Sequence, residues 1–375
     1  MRVLVAGGGT GGHFYPGLAI AEGLKERYPD AEIAFVGTPT GIEGRILPSY
    51  PWFRFYPIHI RGLYRRNRLR NLLVLVRLIF GFIETLGVFA RFRPQIIVGV
   101  GGYSSFPPVF LGACLGRILP VRTMIHEQNV VAGLANRWLS RFVDLVLVSF
   151  PQSERSFPGA KKIVVSGNPI REEFLHARRS ESLYHDFGLD PRRRTILVFG
   201  GSKGSKEITE QILRARDVIA ENDRLQVLLI TGDVETAASI RREMVASAIS
   251  NVSVKAYVES MGAAFAIADL VVCRAGATSL AEITACGKAS LLVPWGGATG
   301  DHQRENACLL RAEDACALAD DEVLVRRGLV DLILDLIQDE WTLARLGRNA
   351  LRLGQRQAKV RILNEIQGLM REVHA

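Results

Sequence analysis

The chain is poor in cysteine, with five residues among 375, scattered and without a Cys-x-x-Cys pair. This spacing excludes a disulfide framework, gives no zinc-site pattern and suits a reducing compartment. The sequence also lacks a charged leader followed by an apolar run and a cleavage site, because Arg2 leads directly into an apolar strand. We therefore expect a protein that is not secreted.

Acidic residues are scarce between positions 61 and 93, where Glu84 is the single acid. Eight arginines lie in the same stretch, at positions 61, 65, 66, 68, 70, 77, 91 and 93, and the whole chain has a net charge of +9. A basic face of this kind suits nucleic acid or an anionic membrane. Because an apolar run follows the arginines, without an interleaved aromatic platform for bases, we expect an anionic membrane surface as a partner and no nucleic acid.

The apolar run predicts the residues that contact lipid, namely Leu72, Leu75, Ile79 and Phe82. Residues 72–92 are nearly long enough to span a bilayer, but Arg77 and Glu84 would lie inside it, each at a cost of roughly 2.5–3.5 kcal/mol. We therefore expect peripheral binding. In the alternative interpretation, most of this helix simply packs on a sheet.

Apolar strands alternate with helical segments in both halves of the chain, which predicts an α/β fold with parallel sheets covered on both faces. A chain of 375 residues is also too long for one ordinary core. Turn residues near position 167 predict a linker. We therefore expect two doubly wound domains, at 1–166 and 167–345, and a helical segment at 346–375 that returns to the first domain.

A glycine-rich turn follows the first strand of each half, at residues 7–13 and 200–205. Glycines permit a sharp turn and leave amide N–H groups at a helix N-terminus, which favours phosphate. Two such turns predict a cleft between the domains that holds a phosphorylated substrate. No acid follows the second strand, where Gly37 and Thr38 lie, so nicotinamide binding is disfavoured.

Four further segments carry polar or small residues at predicted strand ends or helix starts. Residues 99–105 form another glycine turn on the same rim as the first, and residues 126–129 are four polar side chains in a row. In residues 273–282, Glu282 suits a ribose, although Ser279 and Glu282 also have the spacing of a capping box. Residues 301–306 suit sugar hydroxyls or form a solvated helix start.

Together these segments resemble the MurG-type N-acetylglucosaminyltransferases of bacterial peptidoglycan synthesis, which have the GT-B fold of two Rossmann-like domains. Seven motifs occur in order: GGGTGGH at Gly7, GGYSSFP at Gly101, HEQN at His126, GNPIR at Gly167, GGSKGS at Gly200, CRAGATSLAE at Cys273 and DHQRENA at Asp301. The resemblance implies transfer of GlcNAc from UDP-GlcNAc to the C4 hydroxyl of MurNAc in lipid I (undecaprenyl-pyrophosphoryl-MurNAc-pentapeptide), at the cytoplasmic face of the plasma membrane. The product would be lipid II.

The resemblance also implies roles for individual residues. Glu282 would bind the ribose, the backbone at Val258 the uracil, and Ser202 with Arg171 the diphosphate. Gln303 and the Ala277 amide would contact the GlcNAc. Further donor contacts would come from Thr10, Gly11, Gly12 and Asn129, and the acceptor would contact His13, Tyr103 and Asn129.

An inverting displacement needs a base for the acceptor hydroxyl, and His13 is the first candidate and Glu127 the second. Helix N-terminal amides and Arg171 suit the leaving diphosphate, so we expect no metal and no cofactor. Lys203, Ser205, Thr278 and Ser279 depart from residues frequent in the family. A UDP-GlcNAc 2-epimerase and a membrane protein that only binds nucleotide sugars are the competing hypotheses.

Overall fold

The computed structural model describes residues 1–62, 68–202, 204–296 and 301–374. The chain divides into two compact units. Unit 1 comprises Met1–Ile170 and Gln357–Ala375, and unit 2 comprises Arg171–Arg356. Each unit is built on its own parallel sheet.

The first part of unit 1 alternates strands and helices. In chain order they are β1 (Arg2–Ala6), α1 (Gly11–Arg27), β2 (Glu32–Gly37), α2 (Ile42–Ile46), β3 (Phe53–Pro57), α3 (Arg68–Phe92), β4 (Ile96–Gly99), α4 (Phe106–Leu115), β5 (Arg122–Glu127), α5 (Leu134–Leu139), β6 (Leu145–Val148) and β7 (Ile163–Val165). The strand order β3-β2-β1-β4-β5-β6-β7 reverses between β1 and β4, which are neighbours. The loops after these two strands therefore lie at the topological switch point, the usual ligand position in such sheets.

Unit 2 repeats this arrangement with a six-stranded sheet in the order β10-β9-β8-β11-β12-β13. Its switch point lies between β8 and β11. Its elements are α6 (Glu173–His176), α7 (Glu181–Phe187), β8 (Arg194–Phe199), α8 (Lys206–Arg214), α9 (Arg216–Ala220), β9 (Leu225–Ile230), α10 (Val234–Ala246), β10 (Val252–Lys255), α11 (Met261–Ile267), β11 (Leu270–Cys273), α12 (Ala277–Cys286), β12 (Ser290–Leu292), α13 (His302–Ala312), β13 (Ala317–Leu318), α14 (Asp321–Arg327), α15 (Leu329–Gln338) and α16 (Glu340–Leu353). The chain then returns to unit 1 as α17 (Ala358–His374).

Alternate residues of β1 supply the two cores of unit 1, one on each face of the sheet. Val3 and Val5 lie in a cluster with residues of α1 and α17, whereas Leu4 and Ala6 lie in a cluster with residues of α3 and α4. Because a strand points successive side chains to opposite faces, a wholly apolar strand needs helices on both sides. The apolar strands of the sequence thus account for the layered fold.

The predicted domain limits differ from the observed ones at both ends of unit 2. The division between the units falls between Ile170 and Arg171, four residues later than predicted. The predicted returning segment began at 346, but α16 belongs to unit 2, and only the chain from Gln357 belongs to unit 1. A break after Leu353, where Gly354 ends α16, separates the two helices. The edge strands β3, β7 and β13 were not predicted.

Candidate active site

The first glycine turn is held tightly in the switch point of unit 1. Gly7, Gly8 and Gly9 all have positive φ, at 137°, 148° and 82°. A Cβ on Gly7 would lie 2.5 Å from the carbonyl oxygen of Gly101 in the second turn. Side chains are therefore excluded here, and the turns at 7–13 and 99–105 lie against each other.

The buried carboxylate of Glu43 accepts hydrogen bonds from the backbone of the first glycine turn and of the loop after β2. Its Oε2 accepts a hydrogen bond from the Gly9 N–H at 2.8 Å, and its Oε1 accepts one from the Thr38 N–H at 2.7 Å. Sequence analysis missed Glu43, whose only signal was its place near the glycines Gly37 and Gly41. A negative charge at this position disfavours a second anion, so the first turn does not suit a diphosphate.

The structure brings His13 and Tyr103 to the same turn. A Cβ on Gly101 would lie 2.9 Å from His13 Nδ1, and a Cβ on Gly9 would lie 3.9 Å from the Tyr103 hydroxyl. Thr10 is exposed and is the N-cap residue of α1, which begins with Gly11 and Gly12. These predicted site residues thus share one rim of unit 1.

The polar run at residues 126–129, which begins in the last two residues of β5, is mostly buried and hydrogen-bonded. Gln128 Oε1 lies 3.0 Å from His13 Nδ1 and can only accept a hydrogen bond from it. Gln128 Nε2 donates to the carbonyl oxygen of Val100 at 3.0 Å. His126 Nε2 lies 2.9 Å from the carbonyl oxygen of Gly167. Sequence analysis quoted this run but assigned no role to Gln128 or His126.

Glu127 is occupied by protein donors on both oxygens. Its Oε1 accepts from the backbone N–H of Asn129 at 3.0 Å and from the Asn129 amide at 3.1 Å. Its Oε2 accepts from the Gly133 N–H at 3.0 Å and from Asn136 Nδ2 at 2.9 Å. The carboxylate is 1% exposed. In this structure Glu127 holds Asn129 in place, and its role as a base stays a prediction.

In unit 2, the second glycine turn connects β8 to α8 with little free space. A Cβ on Gly204 would collide with the carbonyl oxygen of Thr231, and Gly201 and Gly204 have φ of 85° and 69°. Ser205 caps α8 by accepting from the Ile208 N–H at 3.3 Å. Ser202 lies in this turn at the carboxyl end of β8, whereas Lys203 lies outside the described residues.

Glu282 lies in the second turn of α12, not at its cap. The helix begins at Ala277 with Gly276 as the N-cap residue, so Ser279 is already helical and the capping-box interpretation is wrong. Glu282 is 5% exposed, and burial raises the pKa of its carboxyl from 4.5 to about 7, although nearby Arg171 lowers it. A buried carboxyl with a perturbed pKa is typical of a functional site.

Arg171 lies between two carboxylates at this end of the site. Its Nη1 is 2.7 Å from Glu173 Oε1, and its Nη2 is 3.4 Å from Glu282 Oε1. The guanidinium carbon lies 4.9 Å from the centre of the Phe174 ring. Arg171 thus lies beside Glu282, the predicted ribose ligand. Its contact with the diphosphate stays a prediction.

The remaining predicted donor contacts lie at the carboxyl edge of the same sheet. Gln303, in the first turn of α13, accepts from the Trp295 N–H at 2.9 Å after β12. Asn306 donates to the carbonyl oxygen of Ala275 at 3.2 Å, which joins α13 to the loop before α12. Val258 lies between β10 and α11. Its backbone N–H and C=O have no hydrogen-bonding partner within the described part of the chain.

The helix α3 presents a large apolar face to solvent. Val74, Thr85, Val88 and Phe92 are buried at helical spacing. The apolar face of α3 consists of residues that are each 46–66% exposed, namely Leu72, Leu73, Leu75, Val76, Ile79, Phe80, Ile83 and Leu86. Eight exposed apolar side chains on one helix are unusual for a surface in water.

One predicted lipid contact, Phe82, is half buried. Its ring lies 6.3 Å from that of Phe106 and 6.0 Å from that of Phe110, centre to centre. Phe82 therefore belongs to the packing of α3 on α4. Of the predicted basic residues, Arg65 and Arg66 lie outside the described residues.

Leu72–Phe92 is long and apolar enough to cross a membrane by length and composition alone. Within the described ranges, no group of three or more His, Cys, Asp or Glu side chains is placed to hold a metal ion.

Comparisons with known proteins match both units. Family models of the glycosyltransferase family 28 N-terminal and C-terminal domains match residues 3–148 and 195–362. The UDP-N-acetylglucosamine--N-acetylmuramyl-(pentapeptide) pyrophosphoryl-undecaprenol N-acetylglucosamine transferase of Desulforudis audaxviator is 38% identical, over 98% of each chain. The protein of that name from Geobacter sp. strain M21 is 39% identical, over 96% of this chain and 93% of its own.

Solved structures share the fold over the whole length. MurG of Acinetobacter baumannii superposes with a TM-score of 0.72 at 24% identity, covering 98% of this chain and 99% of its own. A UDP-N-acetylglucosamine 2-epimerase superposes with a TM-score of 0.66 at 15% identity, covering 97% and 94%. At these identities the likeness establishes the GT-B fold and no particular reaction.

Proposed function

Since this chain belongs to glycosyltransferase family 28, we propose that it transfers GlcNAc from UDP-GlcNAc to the C4 hydroxyl of MurNAc in lipid I, which forms lipid II. The observation that supports these substrates is the 38% identity, over 98% of both chains, to the N-acetylglucosamine transferase of Desulforudis audaxviator. The epimerase shares only the fold, at 15% identity.

We propose that unit 2 binds the donor nucleotide. Glu282, buried near the N-terminus of α12, accepts the ribose hydroxyls, and the free backbone groups of Val258 contact the uracil. Ser202 and the amides at the start of α8 hold the diphosphate, where the helix dipole favours negative charge. Gln303 and the Ala277 amide contact the GlcNAc. Arg171 orients Glu282 and favours its ionised form, because it is that carboxylate's cationic neighbour.

We propose that unit 1 binds neutral sugar groups. The Glu43 carboxylate beneath the first turn repels a diphosphate, so Thr10, Gly11 and Gly12 contact hydroxyls of the transferred GlcNAc. Tyr103 and Asn129 bind the acceptor sugar.

The proposed reaction is a single inverting displacement. The acceptor oxygen attacks C1 of GlcNAc while the C1–O bond to UDP breaks and UDP leaves with the bonding electrons. His13 takes the hydroxyl proton as general base. The α8 amides stabilise the charge that grows on the departing phosphate, and this arrangement needs no metal ion. Turnover in 10 mM EDTA should equal turnover in Mg²⁺, and a strict Mg²⁺ requirement would refute this step.

The test of the reaction uses radiolabelled UDP-GlcNAc and a lipid I analogue. Label should appear in the lipid fraction, whereas label that moves only to the 2-epimer of the nucleotide sugar would establish an epimerase. His13→Gln should abolish transfer while UDP still binds, and Glu282→Ala should weaken UDP binding. A passive nucleotide-sugar binder would transfer no label in any variant.

We also propose that the apolar face of α3 docks on an anionic membrane as a peripheral contact. Spanning would remove the buried residues Val88, Phe89 and Phe92 from the core of unit 1. Exposed Arg77 and Arg91 supply attraction to anionic headgroups.

Vesicle co-sedimentation tests the docking. Ile79→Ser with Ile83→Ser should abolish binding to vesicles that contain phosphatidylglycerol, whereas Val325→Ser, at an even more exposed apolar site of unit 2, should not. Binding should weaken with salt because screening shortens the range of attraction. Binding that is equal on neutral vesicles, or unchanged in the double variant, would refute the proposal.

A further inference from the structure

A line of buried hydrogen bonds runs from the carbonyl oxygen of Gly167 to the imidazole of His13. Gly167 O lies 2.9 Å from His126 Nε2, and His126 Nδ1 lies 3.0 Å from Gln128 Nε2. Gln128 Oε1 then lies 3.0 Å from His13 Nδ1. His126 is 0% exposed and Gln128 is 1% exposed. Water therefore does not compete for the contacts of His126, whereas the contact with His13 is partly buried.

Carbonyl groups determine the direction of every bond in this line. Gly167 O can only accept, so His126 Nε2 carries a hydrogen and, in the neutral ring, His126 Nδ1 is an acceptor. Gln128 Nε2 also faces the carbonyl oxygens of Val100 and His126, at 3.0 and 3.1 Å, which only an amide N–H can satisfy. Its two hydrogens are shared among these two oxygens and His126 Nδ1. The Gln128 carbonyl oxygen must therefore face His13.

His126 is neutral, which completes the assignment. Burial lowers the pKa of its imidazole to about 4, and this outweighs the attraction of neighbouring Glu127. The ring thus adds no positive charge that would oppose protonation of His13.

We propose that Gln128 and His126 are positioning residues that fix His13 as the tautomer with a hydrogen on Nδ1 and a lone pair on Nε2. This inference rests on the proposed function, in which His13 is the base. Because Gln128 Oε1 only accepts, it binds the Nδ1 hydrogen both before and after Nε2 gains the substrate proton. The proton transfer then needs no rearrangement of the protein around the ring.

The ¹⁵N NMR spectrum of histidine-labelled protein at pH 8 tests the tautomer directly, with His13→Gln to assign the signals. We expect a protonated Nδ1 and an unprotonated Nε2 for His13 in the wild type. In Gln128→Leu the tautomer should change towards the Nε2-protonated form and kcat should fall about 100-fold, within the usual contribution of a general base. The KM for UDP-GlcNAc should stay within about twofold, because the donor contacts are elsewhere.

A buried glutamine of unit 2 provides the matched control. Gln226 is 1% exposed and donates to the carbonyl oxygen of Asp190 at 2.8 Å. Gln226→Leu should cost stability but leave the His13 signals unchanged. An Nε2-protonated His13 in the wild type, or an unchanged tautomer in Gln128→Leu, would overturn the inference. Full turnover in His13→Gln with the expected tautomer would instead refute only the proposed base.

Discussion

The ionisation of Glu282 opposes folding of the free protein, so Glu282→Gln should stabilise it at alkaline pH. The folded-state pKa of about 7 exceeds the ordinary value of 4.5, so the folded chain holds this proton more tightly than the unfolded chain does. Stability contributed by the neutral carboxyl is therefore present below pH 4.5, decreases as pH rises to 7, and is absent above that. Because a glutamine side chain does not ionise, the Glu282→Gln variant does not lose this stability as the pH rises.

The size of the effect follows from the two pKa values. A difference of about 2.5 pH units corresponds to about 3 kcal/mol in the free energy of unfolding. The attraction of Arg171 is already included, because it is one of the causes that set the pKa. We expect the free energy of unfolding of Glu282→Gln to exceed that of the wild type by about 1 kcal/mol at pH 5.5 and by about 3 kcal/mol at pH 8.

Urea unfolding at these two pH values measures the difference. Trp52→Phe and Trp138→Phe remove the tryptophans of unit 1, so that the fluorescence reports unit 2. Glu221→Gln, at an exposed site of unit 2, is the control and should change little at either pH. A glutamine variant that is less stable than the wild type at pH 8, or an advantage that does not grow with pH, would refute the reasoning. The same variant should bind UDP-GlcNAc more weakly, because the amide loses the charge that the ribose hydroxyls contact.

Three further predictions concern other parts of the molecule. Isothermal calorimetry in buffers of different ionisation enthalpy should show that UDP-GlcNAc releases about half a proton at pH 7, because hydroxyl donors favour ionised Glu282; no release would contradict its role. Gly8→Ala should destabilise unit 1 by about 1–3 kcal/mol and reduce kcat/KM at least tenfold, since a Cβ would lie 2.5 Å from the Glu43 carboxyl at a φ of +148°. Gly368→Ala, which meets nothing within 4 Å inside α17, should instead stabilise by about 0.5–1 kcal/mol, and equal effects of the two changes in a thermal melt would contradict the steric argument. A chain that ends at Arg356 should lose protease protection across residues 1–170 but keep it across 171–356, and protection of both would show that α17 is dispensable.

The sequence was sufficient for the central strands of both sheets and for the positions of the turns, but not for the edge strands β3, β7 and β13. Wholly apolar strands that alternate with helices along the chain require helices on both faces of each sheet. The glycine turns after β1, β4 and β8 lie where the strand order reverses. These features depend on residues close together along the chain. The family resemblance predicted a ribose contact for Glu282, and the observed helix start excludes only the alternative of a capping box.

Contacts between distant residues were beyond sequence reasoning. Glu43 binds Gly9 across 34 positions, and Gln128 meets His13 across 115. Glu43 lies in a short helix and Gln128 in a run of polar residues, and the neighbouring sequence of neither residue indicates these partners. Arg171 likewise meets Glu282, 111 residues further along the chain, and no local pattern indicates this contact.

The C-terminal helix has a consequence for how this protein is made. Ile362, Leu363, Ile366 and Leu369 of α17 complete the core that begins with Val3 and Val5 of β1. A ribosome synthesises those four residues only after all of unit 2. Part of the core of residues 1–170 therefore stays exposed to solvent until α17 is synthesised. Unit 2 is able to fold first, which reverses the usual order of domain folding during synthesis.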